Sequence, residues 1–208
     1  IEGHRARLRY VVTPRDVYNK YYNLFCNPLL WFLQHYMWFS PYTPDIGAKD
    51  HDAWANGYLP VNRAFADAVV EEARGSSAAP YVMVHDYHLY VAPMYIREAL
   101  PAATITHFVH IPWPSPSYWL LLPSHIRTAI CRGLCHSDVL GFQSTQDARA
   151  FVDTCDAFLP EVVVDRSNMS VDLDGHTLRV RAYPISIDVE ELRVTANSRA
   201  CLNYQSQL

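Results

Sequence analysis

The chain has 208 residues, half of them apolar and 13% aromatic, which is enough to bury one large hydrophobic core or two small ones. Its formal net charge is −4, so the composition excludes a general electrostatic attraction to nucleic acid or to anionic membranes. No apolar stretch approaches the roughly 18 residues that a membrane span requires, and we expect no membrane-spanning segment.

Five cysteines are spread along the chain, at positions 26, 131, 135, 155 and 201. An odd and widely spaced set does not fit the disulfide framework of a secreted domain, so we expect reduced cysteines and a cytoplasmic protein. Cys131 and Cys135 lie four positions apart, on one face of a predicted helix, where we expect them to be small buried side chains.

The first part of the chain is predicted to be mainly helical. Residues 8–13 favour a strand that ends at Pro14. Apolar residues at helical spacing predict a helix over 27–39, with Pro28 in its first turn, where a missing N–H costs nothing. A second helical pattern covers 50–74 and contains Pro60, which we expect to kink or split that helix.

From residue 81 onward, short apolar strands alternate with helices. The predicted strands are 81–84, 104–110 and 138–142, and the predicted helices are 91–100, 116–135 and 145–158, the last capped by Thr145. This alternation predicts an α/β domain, in which a Rossmann-like parallel sheet is covered by helices on both faces.

The last part of the chain changes character. Residues 171–181 alternate polar and apolar side chains around Asp174-Gly175, which predicts a β-hairpin at the edge of the sheet. A helix is predicted from Val189 onward. We therefore divide the chain into a Rossmann-like domain over 1–188 and a terminal helix, or the start of an interdomain linker, over 189–208.

Polar residues cluster where the predicted parallel strands end. Residues 85–88 (HDYH) follow the first strand, His110 ends the second, and residues 143–144 (QS) follow the third. In parallel α/β sheets, ligands bind outside the carboxyl ends of the strands. These clusters therefore indicate a binding site at that edge of the sheet.

Two residues of this edge each have two interpretations. Asp86 can accept hydrogen bonds from a sugar hydroxyl, worth about 1.5–3 kcal/mol because the acceptor is charged, or it can cap the amides of a structural turn. His110 precedes Pro112 and Pro114, whose stiffness suits a histidine that must point at a substrate. The alternative for His110 is a hydrogen bond to nearby backbone.

Four histidines raise the question of a metal site: His85, His88, His107 and His110. His107 and His110 fall on opposite faces of their strand, so the four cannot all converge. No H-E-x-x-H motif is present either. We therefore predict no metal site.

An aromatic cluster that includes Tyr22 and Trp31 leads into the first long helix. Core packing accounts for most clusters of this kind. Sugar binding is the alternative, because aromatic faces and phenol hydroxyls suit sugars and phosphates.

Taken together, the motifs resemble those of the trehalose-6-phosphate synthase family. The motifs, in family order, are 21–31 (YYNLFCNPLLW), 61–67 (VNRAFAD), 85–89 (HDYHL), 110–114 (HIPWP), 140–143 (LGFQ) and 183–185 (YPI). The resemblance covers nearly the whole chain. It implies the glycosyltransferase B architecture, in which two Rossmann-like domains face each other across a cleft and the N-terminal one holds the acceptor.

The resemblance also implies roles for individual residues. Tyr22 and Trp31 match the aromatic residues that line the acceptor pocket, and Asp86 matches the aspartate that binds acceptor hydroxyls. His110 matches the active-site histidine that contacts the donor glucose, so Asp86 and His110 are the expected catalytic pair. The implied reaction transfers glucose from UDP-glucose to glucose 6-phosphate with retention of configuration. It requires no metal or cofactor and depends on positioning and electrostatic stabilisation.

Two family segments have no counterpart here, which makes us expect a piece of a longer protein. They are a phosphate-binding loop with an arginine, expected before Ile1, and a segment that grips the donor diphosphate, expected after Leu208. We therefore expect the acceptor-side half alone to be inactive, with a C-terminal Rossmann-like domain as its missing partner. The oligomeric state stays open, and a homo-oligomer is compatible with the sequence.

The acceptor has alternatives. Trp113 stands where many family members carry Phe, and Ser186 where many carry Gly, as in divergent members of the superfamily. Those members include pseudo-glycosyltransferases that couple aminocyclitol phosphates and synthases that use acceptors such as glycerol phosphate. A third alternative is a non-catalytic regulatory module of the same fold.

Overall fold

The computed structural model describes residues 6–38, 45–75 and 78–207. Two long helical runs come first, and each contains a π-helical segment. Helix α1 consists of Arg15–Tyr18 (α), Asn19–Trp31 (π) and Phe32–Gln34 (α). Helix α2 consists of Ala48–Ala53 (α), Trp54–Tyr58 (π) and Leu59–Ala73 (α). Within the described ranges, no helix combines the length and apolarity that crossing a membrane requires.

The rest of the described chain alternates strands with helices. The strands are β1 (Tyr81–His85), β2 (Thr104–Val109), β3 (Val139–Phe142), β4 (Val162–Asp165), β5 (Ser170–Leu173) and β6 (His176–Ala182). The helices are α3 (Ala92–Ala99), α4 (Pro116–Trp119), α5 (Ser124–Cys135), α6 (Thr145–Phe158), α7 (Val189–Ala196) and α8 (Arg199–Gln205). A single 3₁₀ turn, Tyr87–Leu89, follows β1.

These strands form one mixed sheet in the order β1-β2-β3-β6-β5-β4. Strands β1, β2, β3 and β6 are parallel to one another, whereas β5 is antiparallel to both of its neighbours, β6 and β4. The predicted α/β class, the parallel pairing of β1 with β2 and the hairpin are confirmed. Asp174 and Gly175 at the tip of the hairpin have φ angles of 54° and 83°, which a two-residue hairpin turn requires. Strand β4 was not predicted.

One face of the sheet carries the hydrophobic core. Val84, His107 and Leu140 are cross-strand neighbours on β1, β2 and β3, and all three are buried. On the opposite face, Tyr81 and Met83 of β1 are 84% and 75% exposed. The described helices therefore cover one face, whereas the sequence predicted cover on both. Since β1 carries apolar residues on both faces, its sequence does not distinguish a sheet covered on one face from a sheet covered on both.

The prolines of both long helices lie within or directly after π-helical segments. Pro28 was predicted in a first turn at 27–39, but α1 begins at Arg15 and Pro28 lies inside its π-helical part; Phe39 lies outside the described residues. Pro60 was expected to kink or split its helix, but α2 continues past it from the π-helical turn Trp54–Tyr58. Proline removes an α-helical hydrogen bond, so a segment with a different bonding pattern is where it is tolerated.

Other local predictions are wrong for identifiable reasons. Residues 8–13 form no strand; instead Arg9 forms ion pairs with Glu71 and Glu72, so this segment crosses α2. The predicted helix 116–135 is divided into α4 and α5, and Pro123 is the N-cap of α5.

The cap of α6 is also one residue earlier than predicted. The hydroxyl of Ser144, not that of Thr145, accepts the hydrogen bond from the Asp147 amide. The terminal helix predicted from Val189 is confirmed as the pair α7 and α8, in which no residue is buried.

Replacing Gly57 with alanine is expected to destabilise the fold. A Cβ atom at this position would lie 2.7 Å from the backbone nitrogen of Tyr21 and 2.6 Å from Cβ of Lys20, where the π-helical segments of α1 and α2 cross. Overpacking of this kind costs about 1–3 kcal/mol, and the higher helix propensity of alanine offsets up to about 1 kcal/mol. The free energy of unfolding in urea measures the net loss.

Gly47→Ala is the matched control, because no atom lies within 4 Å of its added Cβ. Equal unfolding midpoints for the two variants would contradict the close helix crossing.

Candidate functional site

The carboxyl ends of β1, β2 and β3 lie side by side and bring the predicted polar clusters together. Asp86 follows β1, and its carboxylate accepts a hydrogen bond from the amide of His110, which follows β2, at 3.2 Å. Gln143 follows β3, and its side-chain oxygen accepts from the amide of Ile185 at 3.2 Å. Asp86 and His110 are therefore neighbours, while Gln143 holds the segment that follows β6.

The backbone of Asp86 is strained. Its φ and ψ angles are 67° and 175°, a region that residues other than glycine rarely enter and that costs about 1–3 kcal/mol. The amide of Asp86 donates to the carbonyl of Phe108 at 2.7 Å, and its carbonyl accepts from the amide of Leu89 at 3.3 Å. Strain held in this way is typical of functional sites, and the sequence contains no sign of it.

A buried histidine is hydrogen-bonded to the backbone carbonyl of Asp86. His107 is 1% exposed, and its Nε2 atom lies 3.1 Å from the carbonyl oxygen of Asp86, so Nε2 carries the proton and donates. Burial lowers the pKa of His107 to about 3, although the hydrogen bond to Asp86 opposes this shift. His107 is therefore neutral at physiological pH.

Two side chains of α2 fix the turn that follows Asp86. The Tyr58 hydroxyl donates to the carbonyl of Tyr87 at 2.7 Å and accepts from the amide of Tyr90 at 3.1 Å. Asn62 donates to the carbonyl of His88 at 3.1 Å. Both Tyr58 and Asn62 are fully buried, so these hydrogen bonds replace water for backbone groups that the turn leaves unpaired.

The Asn62 side chain also caps the N-terminus of α3. Its side-chain oxygen accepts from the amides of Val91 and Ala92, at 3.1 and 3.0 Å. These amides belong to the first turn of a helix, where no intrahelical partner exists. One asparagine therefore joins the HDYH turn to the helix behind it.

The π-helical winding of α1 places Tyr22, Asn27 and Trp31 on the side that faces this turn. Nine α-helical steps of about 100° would put Tyr22 and Trp31 on opposite sides of the helix. The π-helix turns through roughly 85° per residue, so nine steps return close to the starting side. The Asn27 side chain between them accepts from the Tyr87 hydroxyl at 2.7 Å.

Tyr22 belongs to a column of stacked rings. It stacks on Tyr18, with ring centroids 5.4 Å apart, and on His88, with ring centroids 5.6 Å apart. The rings of His88 and Tyr87 also pack together, with centroids 4.0 Å apart. Desolvation lowers the pKa of His88, while the nearby charge of Asp86 opposes this shift. His88 is therefore a neutral ring that supports Tyr22, a role that the sequence did not predict.

The two predicted acceptor residues line separate concavities, each of which includes one residue of the turn. Trp31 lines one of about 330 Å³ together with Asn27 and Tyr87. Tyr22 lines another of about 290 Å³ together with His88. A larger concavity of about 490 Å³ lies along the outer edge of β1 and shares Val11 and Phe65 with the Tyr22 concavity.

The four histidines do not all converge, as the strand pattern predicted. His85 and His110 do meet, with 3.0 Å between Nδ1 of His85 and Nε2 of His110. His107 lies under the turn and His88 stacks on Tyr22. Among residues 6–38, 45–75 and 78–207, no three His, Cys, Asp or Glu side chains are grouped so as to hold a metal ion.

The low pKa of His107 predicts that the fold loses stability in acid. The unfolded chain binds a proton at this residue near pH 6.5 and the folded chain only near pH 3, so stability falls as the pH drops through that interval. The loss from this residue reaches up to about 4 kcal/mol. His107→Gln keeps a donor for the Asp86 carbonyl but cannot be protonated, so its unfolding free energy should fall less between pH 6.5 and 3. A wild-type pH dependence in this variant would contradict the buried neutral histidine.

Comparisons with known proteins identify relatives of this chain. A validamine 7-phosphate valienyltransferase of Streptomyces hygroscopicus is 34% identical over 183 residues, or 88% of this chain and 36% of the relative. Alpha,alpha-trehalose-phosphate synthase [UDP-forming] 5 of Arabidopsis thaliana is 34% identical over 88% of this chain and 21% of the relative. The chain thus spans about a third of the first relative and a fifth of the second.

A solved structure is similar along nearly the whole chain. It is that of an alpha,alpha-trehalose-phosphate synthase (UDP-forming) from Burkholderia xenovorans in complex with glucose-6-phosphate, with a TM-score of 0.71 and 29% sequence identity. The similarity covers 92% of this chain and 41% of that one. The sequence model of glycosyltransferase family 20 matches residues 3–208. The chain therefore belongs to glycosyltransferase family 20.

Proposed function

We propose that this chain forms the acceptor side of a retaining glycosyltransferase that transfers glucose from UDP-glucose to glucose 6-phosphate, giving trehalose 6-phosphate. The observation that carries the proposal is the meeting of Asp86 and His110 at the carboxyl edge of a family 20 domain. The UDP-forming relative and the structure with bound glucose-6-phosphate support the donor and acceptor classes.

In this proposal, Asp86 accepts hydrogen bonds from acceptor hydroxyls, Trp31 supplies an aromatic wall, and Tyr22, whose ring stacks on Tyr18 and His88, presents its ring edge. Tyr22 is 37% exposed and so remains available to a ligand. His110 contacts the donor glucose. The chemistry depends on positioning, because the strained turn is held in place before any ligand binds.

The donor diphosphate is bound, in this proposal, by a second Rossmann-like domain outside residues 1–208. The partial coverage of both relatives and of the solved structure supports this division. Residues 1–188 then form the acceptor-side domain, and α7 and α8 lead toward its partner. We expect the 208-residue chain alone to release no UDP from UDP-glucose and glucose 6-phosphate.

A cytoplasmic location is part of the proposal. All five cysteines are free thiols in the structure, four of them buried. Cys135 and Cys155 remain unbonded with 3.8 Å between their sulfurs, which suits a reducing compartment.

A cyclitol phosphate is a second candidate acceptor, favoured by the similarity to the valienyltransferase. The roles of Asp86 and Trp31 are the same for both acceptors, since each is a polyhydroxylated ring that bears a phosphate. The full-length protein can be incubated with a nucleotide-sugar donor and either glucose 6-phosphate or validamine 7-phosphate. The acceptor that causes release of the nucleotide from the donor distinguishes the two candidates. No release with either acceptor would favour a non-catalytic module.

Substitution of Asp86 separates its two interpretations. In the full-length protein, we expect Asp86→Ala and Asp86→Gly to lower kcat/KM for the acceptor by about 10- to 150-fold, because a charged hydrogen bond of about 1.5–3 kcal/mol is lost. Asp86→Gly should also unfold at higher urea concentration than Asp86→Ala, since glycine takes φ of 67° without strain.

The matched control is Asp174→Gly, which makes the same change at an aspartate with φ of 54° in the distant hairpin. It should leave kcat/KM unchanged. If Asp86→Gly also retained full kcat/KM, Asp86 would be a turn residue alone.

A further inference from the structure

His85 is a polar residue of the carboxyl edge to which no role has been assigned. It is the last residue of β1, and its side chain is exposed on the open face of the sheet, so core packing does not explain it. Its Nδ1 atom lies 3.0 Å from Nε2 of His110, and the two rings meet edge to edge, with centroids 5.2 Å apart and planes 30° apart.

The register of the sheet makes this contact a property of the fold. His85 is paired with Phe108 across the parallel β1–β2 ladder, and His110 follows two positions later on the same face. The centroids of the Phe108 and His110 rings lie 4.7 Å apart, and the amide of His110 donates a hydrogen bond to the Asp86 carboxylate. The His110 ring is thus held by a strand neighbour, an aromatic ring and its own backbone.

A hydrogen bond between two neutral imidazoles has a chemical consequence. One nitrogen of the pair must carry the proton and the other must accept. If Nδ1 of His85 donates, the proton of neutral His110 is on Nδ1; if Nε2 of His110 donates, Nδ1 of His110 is an acceptor. Each direction corresponds to one tautomer of His110, so the bond couples the tautomer of His110 to that of His85 and leaves Nδ1 as the free ring nitrogen of His110.

We propose that His85 is a positioning residue for His110: its Nδ1 atom is hydrogen-bonded to Nε2 of His110, which orients the His110 ring and couples its tautomer to that of His85, so that Nδ1 of His110 faces a hydroxyl of the nucleotide sugar. The inference rests on the proposed contact of His110 with the donor. His85 itself touches neither substrate.

Three substitutions of His85 test which atom matters. His85→Asn retains an amide group close to the position of Nδ1, His85→Gln moves the amide to the position of Nε2, and His85→Phe retains only the ring. His125→Phe is the matched control, because His125 is exposed on α5 and its ring stacks on His51, not on the edge residues.

The first measurement requires no activity. Nitrogen-15 correlation spectra of the His110 ring at alkaline pH report the protonation and hydrogen bonding of each ring nitrogen directly. We expect the shift of a hydrogen-bonded Nε2 in the wild type, the same shift in His85→Asn, and loss of this signature in His85→Phe. An unchanged His110 spectrum in His85→Phe would overturn the proposal.

The second measurement is kcat/KM for UDP-glucose in the full-length protein at saturating acceptor. We expect losses of about five- to tenfold in His85→Phe and His85→Gln, the size of one hydrogen bond, and recovery to within about twofold in His85→Asn. Losses equal to those of His125→Phe would refute the positioning role, and an equal loss in all three variants would refute the assignment of Nδ1. A wild-type protein without turnover would instead refute the proposed function, while the spectra would still decide the role of His85.

Discussion

The backbone of Asp86 takes a conformation that glycine normally supplies, and the hydrogen bonds around it keep it there. Its amide is bonded to strand β2, and its carbonyl is bonded to the buried ring of His107. Tyr58 and Asn62 then fix the following turn from helix α2. An aspartate costs about 1–3 kcal/mol more than glycine at such angles, and its carboxylate accepts a hydrogen bond from the amide of His110.

Helix α1 brings a second set of side chains to the same turn through its winding. The π-helical segment turns Tyr22 and Trp31 toward one side, where the Asn27 side chain and the ring of His88 join helix to turn. Pro28 lies inside this segment, and the π-helical part of α2 crosses close by. The π-helical winding of α1 and the strained turn are therefore joined through Asn27, Tyr87 and His88.

Much of this arrangement could be predicted from the sequence, because strand–helix alternation and the Asp174 turn are local patterns. The meeting of Asp86 with His110 followed from the rule that parallel strands end at one edge. What could not be predicted depends on contacts distant in the chain. The π-helical winding of α1, the buried neutral state of His107 and the stacking of His88 on Tyr22 arise only when α1, α2 and β1 pack together.

The most direct test of the account is a crystal structure of the protein with glucose 6-phosphate bound. The account predicts that sugar hydroxyls lie within about 3 Å of the Asp86 carboxylate and that the Trp31 ring contacts the sugar. A sugar bound elsewhere, such as the concavity between Arg9 and Met83 along the outer edge of β1, with Asp86 bonded only to the His110 amide, would contradict it.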